Sequence, residues 1–201
     1  MPIKAVIWDI GGVIARTGDQ TPRNQLAADL GVTRNYLNEL FFSGPEGTRA
    51  QKGEITAEEL MVYIRGQLGL APGEHTDLEK RFFAGDKVDY ELVDFIRSLK
   101  LKYRIGIISN AWSGLAKLLD GWEIRDAFDV IISSGDVGVM KPDPKIYRLA
   151  LERLGVQPED SVFVDDFIEN IHGARGLGMH AIYFENPVQT MGDLKELLEI
   201  Q

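Results

Sequence analysis

Five short apolar runs, each unbroken rather than alternating, limit this chain to a small set of folds. They are Ala5 to Trp8, Ile105 to Ile108, Val130 to Ile132, Val162 to Val164 and Ala181 to Phe184. A strand with one wet face alternates apolar and polar residues. A run that is apolar at every position is buried on both faces, as in the parallel sheets of α/β proteins. Between the runs lie helix-length segments with apolar residues three and four apart. Leu92, Phe95, Ile96 and Leu99 form one such face, and Ile146, Leu149, Ala150, Leu151 and Leu154 another. Strands alternating with helices specify an α/β sandwich around a mostly parallel sheet.

One interval breaks the rhythm. Residues 16–85 hold no convincing strand but several helical stretches, Asn24 to Leu30, Thr33 to Phe42 and Thr56 to Leu68. Thr56-Ala57-Glu58-Glu59 reads as a capping box, in which Thr56 and Glu59 exchange bonds with the free donors of a helix start. The expected organisation is therefore an α/β core from 1–15 and 86–201, with a helical cap at 16–85 inserted after the first strand.

At 201 residues the chain is long enough to bury about 70% of its unfolded surface without staples. Its net charge of −9 disfavours nucleic-acid backbones and anionic lipid as partners. No apolar run approaches the roughly 20 residues of a membrane-spanning helix, and Met1 to Trp8 is too short for a signal-peptide core. The chain has no cysteine, which removes disulfides, thiolate metal sites and thiol nucleophiles. That composition fits a reducing cytosol, and the expected location is cytoplasmic. His75, His172 and His180 lack the spacing of a histidine metal site, and no nucleotide-binding glycine pattern occurs.

In open parallel sheets, ligands bind at the carboxyl ends of the strands. Four polar groups fall at or near such ends. Asp9 precedes Gly11-Gly12, Ser109-Asn110 ends the second run, Lys141 lies in a proline-stiffened loop before a helix, and Asp165-Asp166 end the fourth run. Taken singly, Asp9 reads equally as a turn cap, Ser109-Asn110 as a helix cap and Lys141 as a surface lysine. The adjacent carboxylates Asp165 and Asp166 repel unless a cation joins them. Together the groups form one constellation. Carboxylate and carbonyl oxygens suit a hard ion such as Mg²⁺, and lysine with serine suits the oxygens of a phosphoryl group. Asp9 then suits the nucleophile of an aspartyl-phosphate mechanism.

In their order, Ile7-Trp8-Asp9-Ile10-Gly11-Gly12-Val13, Ile107-Ile108-Ser109-Asn110, Lys141-Pro142 and Val162-Phe163-Val164-Asp165-Asp166 resemble the four motifs of the haloacid dehalogenase-like hydrolase superfamily. The resemblance implies an α/β fold with a three-layer Rossmann-like core around a mostly parallel five-stranded sheet, and the helical interval sits where that superfamily carries its small type 1 cap. The resemblance implies Asp9 as nucleophile and metal ligand, with Ser109, Asn110 and Lys141 on the phosphoryl group. It implies Mg²⁺ on Asp9, the Gly11 carbonyl and Asp166, with Asp165 supporting. Asn170, four residues beyond Asp166, resembles the polar residue that closes the last motif. The implied partner is a small phosphorylated metabolite. Trp112 reads either as a wall of the substrate pocket or as packing between core and cap. Arg49 and Lys52 read either as substrate contacts or as exposed helix charges.

One position departs from the pattern. Family phosphatases usually carry a second aspartate two residues after the nucleophile, as general acid and base, and here that residue is Gly11. Such a group contributes about 10²–10⁴-fold. Its absence favours substrates whose leaving oxygen tolerates negative charge, such as sugar 1-phosphates. Two other functions compete with a Mg²⁺-dependent phosphatase. One is a metal-independent haloacid dehalogenase, although these usually have an aromatic residue at position 11. The other is a catalytically weak binding or regulatory protein on the same fold.

Overall fold

The computed structural model describes residues 2–71, 74 and 77–200. The chain begins with β1 (Ala5–Trp8) and β2 (Ala15–Thr17), then enters a helical segment. That segment contains α1 (Thr21–Asp29), α2 (Arg34–Asn38), a π-helical turn (Glu39–Ser43), α3 (Pro45–Gln51), α4 (Ala57–Gln67) and α5 (Leu78–Phe82). The chain returns through β3 (Asp86–Val88) to α6 (Tyr90–Leu99), β4 (Arg104–Ser109), α7 (Leu115–Gly121), β5 (Val130–Ser133) and α8 (Ser134–Val137). It ends with α9 (Pro144–Leu154), β6 (Ser161–Asp165), α10 (Ile168–Arg175), β7 (His180–Tyr183) and α11 (Pro187–Leu197).

The five continuous runs form one parallel sheet in the order β5-β4-β1-β6-β7. Alternation along each strand divides its side chains between two cores. Val6 and Trp8 of β1, Ile105 and Ile107 of β4, and Val162 and Val164 of β6 pack with residues of α6, α7 and α11. Ala5, Ile7, Ile108 and Phe163 face the other way, against Ile146, Tyr147 and Ala150 of α9 and Ile171 and Ala174 of α10. Every residue of β1 and β6 is buried, which is why neither strand needs a polar face.

The helical segment has a third core of its own, built from Leu26, Leu37, Phe41, Leu60, Ile64, Leu78 and Phe82. Phe41 and Phe82 stack there with ring centroids 3.8 Å apart. The capping box forms, since the Thr56 hydroxyl accepts from the Glu59 N–H and the Glu59 carboxylate accepts from the Thr56 N–H. Two features differ from the sequence expectation. The stretch Thr33 to Phe42 is not one helix: after Asn38 it widens into the π-helical turn, closed by the Gly44 N–H on the Glu39 carbonyl at 2.7 Å. Pro45, whose missing N–H costs nothing in a first turn, then starts α3.

The second difference lies at the edges of this segment. β2 and β3 pair antiparallel, Ala15 opposite Val88 and Thr17 opposite Asp86, so the outgoing and returning chains run side by side. Arg23 fixes α1 to this ribbon. Its guanidinium donates to both Asp86 oxygens at 2.9 Å and to the Phe82 carbonyl at 3.0 Å, and it lies over the Phe82 ring. Three-residue strands with mixed polarity carry too little period to be read from sequence.

Candidate active site

The same alternation that builds the two cores also aims the polar side chains. Asp9 continues the parity of Ala5 and Ile7, and Asp165 continues that of Phe163, so both carboxylates point toward the α9 and α10 side of the sheet. Lys141 stands in the loop that leads into α9, with its ammonium 5.5 Å from the Phe163 ring centroid. Its Nζ donates to Asp9 Oδ1 at 2.8 Å and to Asp165 Oδ2 at 2.7 Å, and all three residues are buried. Burial opposes the charge on Lys141, but Asp9 and Asp165 more than offset it and hold the ammonium above its ordinary range.

The three carboxylates have different surroundings. Asp165 is saturated: beside Lys141 it accepts from Asn170 Nδ2 at 2.9 and 3.1 Å and from the Phe167 N–H at 2.8 Å. Asn170 is itself held by the Tyr147 hydroxyl, which donates to its carbonyl at 3.0 Å. Asp9 takes Lys141 and the Ile10 N–H on Oδ1, and Oδ2 carries neither bond. Burial, reinforced by Asp165 and only partly opposed by Lys141, pushes the Asp9 carboxyl up to about 7. Asp166 has a buried Oδ1 with no hydrogen-bond partner among the described residues. Burial first, and the charge of Asp165 second, raise its carboxyl as well.

Gly12 makes room for this arrangement. Its φ is +80°, and a Cβ there would stand 2.1 Å from Asp166 Oδ2, so only glycine lets the carboxylate approach the Asp9 loop. Gly11 is different. It is exposed, and a Cβ built on it meets no atom within 4 Å, so a side chain at this position has space.

Asp9, Asp165 and Asp166 offer one oxygen each within 4.8 Å of one another. Lys141 balances only part of their charge, and the buried Asp166 Oδ1 lacks a donor among the described residues. A hard cation with oxygen ligands satisfies both conditions, so the donor set fits Mg²⁺.

The remaining residues singled out in the sequence take various places. Ser109 is buried at the end of β4, beside Ser133 of β5. Asn110 bonds to the backbone of Lys141 at both ends of its amide. Trp112 is half-buried against the helical segment, with ring centroids 6.2 Å from Phe41, 6.4 Å from Phe42 and 6.1 Å from Phe83. Arg49 is exposed and paired with Glu46 and Glu54, so its charge is engaged within the helical segment. Lys52 is exposed, and the adjoining Gly53 sits so close to α8 that a Cβ would lie 2.1 Å from the Gly135 carbonyl oxygen. His75 lies outside the described residues; His172 and His180 are exposed and are not among the carboxylates gathered here. Sequence reading missed Tyr147 and the Phe167 N–H as supports of the site. The only signal for Tyr147 is its place on the buried face of α9.

No helix among the described residues is long and apolar enough to cross a membrane. The pig (Sus scrofa) bifunctional epoxide hydrolase 2 is 28% identical over an alignment that covers all of this chain and 40% of that protein. The chain thus spans less than half the length of these bifunctional relatives. A D-ribitol-5-phosphate phosphatase of Bacteroides thetaiotaomicron is 26% identical, with 98% of each chain covered. Among solved structures, a predicted HAD-like family hydrolase of Porphyromonas gingivalis superposes with a TM-score of 0.80 over 100% of both chains at 22% identity. A Bacteroides thetaiotaomicron HAD family enzyme, solved with magnesium and inorganic phosphate, gives a TM-score of 0.76 over 90% of this chain and 93% of its own, also at 22% identity. The model of the haloacid dehalogenase-like hydrolase family matches residues 3–178, from the start of β1 through α10, and the chain belongs to that family.

Proposed function

We propose that this hydrolase is a Mg²⁺-dependent phosphatase of small phosphorylated metabolites, with Asp9 as its nucleophile. The observation that carries the reading is the division of labour among the carboxylates. Asp165 is fully occupied by Lys141, Asn170 and the Phe167 N–H, while Asp166 Oδ1 is buried without a donor among the described residues and Asp9 takes Lys141 and the Ile10 N–H on Oδ1 rather than Oδ2. A metal-independent dehalogenase leaves that orphaned oxygen unexplained.

In this reading Asp9, the Gly11 carbonyl and Asp166 hold the Mg²⁺, and Asp165 supports them by fixing Lys141. The ion supplies charge stabilisation for the phosphoryl oxygens. Asp9 Oδ2 attacks phosphorus, the P–O bond to the substrate breaks, and an aspartyl phosphate forms. Lys141 and Ser109 hold the transferring oxygens, where fixed donors in a buried site act most strongly. Water then attacks the aspartyl phosphate, and inorganic phosphate leaves. The segment 16–85 serves as the cap, resting on the core at Trp112 and at Gly53.

Gly11 supplies no proton to the departing oxygen, so the leaving group takes its proton from water. That favours anomeric and other activated phosphates. The likeness to a D-ribitol-5-phosphate phosphatase instead supports a polyol ester with an alkyl leaving group. A panel of p-nitrophenyl phosphate, a sugar 1-phosphate and a polyol 5-phosphate, assayed with and without Mg²⁺ beside Asp9→Asn, tests the reading. The expected result is metal-dependent phosphate release, abolished by Asp9→Asn and fastest on the anomeric or aryl ester. Silence on every ester with Mg²⁺ still bound selects the regulatory protein, and halide release without metal selects the dehalogenase.

A further inference from the structure

We propose that Asn110 is a positioning residue for Lys141 rather than a ligand of the phosphoryl group. The proposal rests on the reading of Lys141 given above. Asn110 follows the last residue of β4, and its amide grips the backbone of Lys141 at two points. Nδ2 donates to the Lys141 carbonyl at 3.0 Å, and Oδ1 accepts from the Lys141 N–H at 2.8 Å. A side-chain amide paired with both polar groups of one residue fixes that residue in position and in rotation about the chain. Lys141 stands in the irregular loop between two helices. That loop runs from the end of α8 through Gly138, Val139 and Met140 to α9. Asn110 is thus the lateral tie between the central sheet and the residue whose side chain bridges two buried carboxylates.

The hold is transmitted directly to the site. Lys141 Nζ reaches Asp9 Oδ1 and Asp165 Oδ2 within 0.1 Å of the same distance, 2.8 and 2.7 Å. Nζ bridges the two carboxylates at hydrogen-bond length on both sides, so a shift of the Lys141 backbone lengthens one bond or both. Misplacement of a catalytic group by about 1 Å costs roughly 10²-fold in rate.

Four variants test the proposal: Asn110→Ala, Asn110→Asp, Lys141→Ala and the double variant of Asn110→Ala with Lys141→Ala. Turnover of p-nitrophenyl phosphate with Mg²⁺ is measured beside acetylation of Lys141, followed by mass spectrometry on the folded protein. For Asn110→Ala the expectation is a loss of about 10- to 100-fold in kcat with KM changed less than about 3-fold, and Lys141 acetylated at least about 10-fold faster than in the parent. The double variant should be no slower than Lys141→Ala alone, since a residue acting through another has nothing left to do once that residue is gone. Asn110→Asp is isosteric and keeps the acceptor facing the Lys141 N–H. It is acetylated at a rate between parent and Asn110→Ala. Losses that multiply in the double variant, or a kcat loss with Lys141 still protected, overturn the proposal and return Asn110 to the phosphoryl group. If the parent hydrolyses no phosphate ester, the proposed activity fails, while the acetylation rates still decide whether Asn110 holds Lys141.

Discussion

Removing the charge of Asp9 should stabilise the metal-free protein while destroying its activity. The folded chain holds the Asp9 proton to about pH 7, against an ordinary value of 3.8, chiefly because the carboxyl is buried. A raised carboxyl pKa means that the folded state binds the proton more tightly than the unfolded state. Its contribution to stability is therefore complete below about pH 4 and is lost as pH rises through 7. A gap of about 3 in pKa, at 1.36 kcal/mol each, corresponds to roughly 4 kcal/mol. Asn stands in for the neutral form, so Asp9→Asn should be about 2–4 kcal/mol more stable than the parent at pH 8 without Mg²⁺. For a chain of this size that is roughly 4–16 °C in Tm. Urea unfolding of both proteins, with EDTA, at pH 4, 6 and 8 gives the profile: no difference at pH 4, a growing one at 6, a full one at 8. Titrations of groups remote from Asp9 cancel between the two proteins. Equal stability at pH 8, or a difference that does not change between pH 4 and 8, refutes the reasoning.

Three further perturbations follow from the same geometry. Lys141→Met leaves Asp9 and Asp165 facing each other without their shared cation; urea unfolding at pH 8 should show a loss of about 3–5 kcal/mol, shrinking toward pH 4 as Asp9 takes up its proton. Gly12→Ala drives a methyl into Asp166 and strains a φ of +80°, so calorimetric titration should show Mg²⁺ bound at least tenfold more weakly, with the circular dichroism spectrum kept. A Cβ on Gly11 meets no atom within 4 Å, so Gly11→Asp should change stability by less than about 0.5 kcal/mol, while raising turnover of an alkyl phosphate relative to p-nitrophenyl phosphate by about 10²-fold, read from the ratio of kcat/KM values.

The sheet was legible because burial on both faces leaves its mark on every residue of a strand. Ala5 to Trp8 and Val162 to Val164 have no polar position to confuse the reading; the first coincides with β1, and the ends of the other four runs move by at most one residue. The site was legible at the level of which residues meet, since polar groups at the ends of parallel strands converge. Strand parity carries this further: Ile7 to Asp9 and Phe163 to Asp165 are steps of two, which sends both carboxylates to one side. The separate tasks of those carboxylates were not legible. Asp165 and Asp166 are neighbours in sequence with identical chemistry, and only the donors around Asp165 tell them apart. The grip of Asn110 on Lys141 joins residues 31 positions apart and leaves no periodic trace. β2, β3, α3 and α5 are too short to carry one, and Arg49 looks like a free cation until Glu46 and Glu54 are seen beside it.

The paired strands β2 and β3 also bear on how the chain reaches its native state. β1 must find β4 across a long stretch of sequence, Trp8 beside Ile107, and long closures slow folding. Once Thr17 lies opposite Asp86, the helical segment no longer counts toward that distance, because its two ends are already together. The loop left to close is shorter by nearly two doublings, worth about 1 kcal/mol of chain entropy. A segment with its own apolar interior, pinched off at its base, acts as a shortcut between the first strand and its partner. A substitution that unpairs the ribbon at Thr17 or Asp86 would then slow refolding of the sheet, a structure it does not touch.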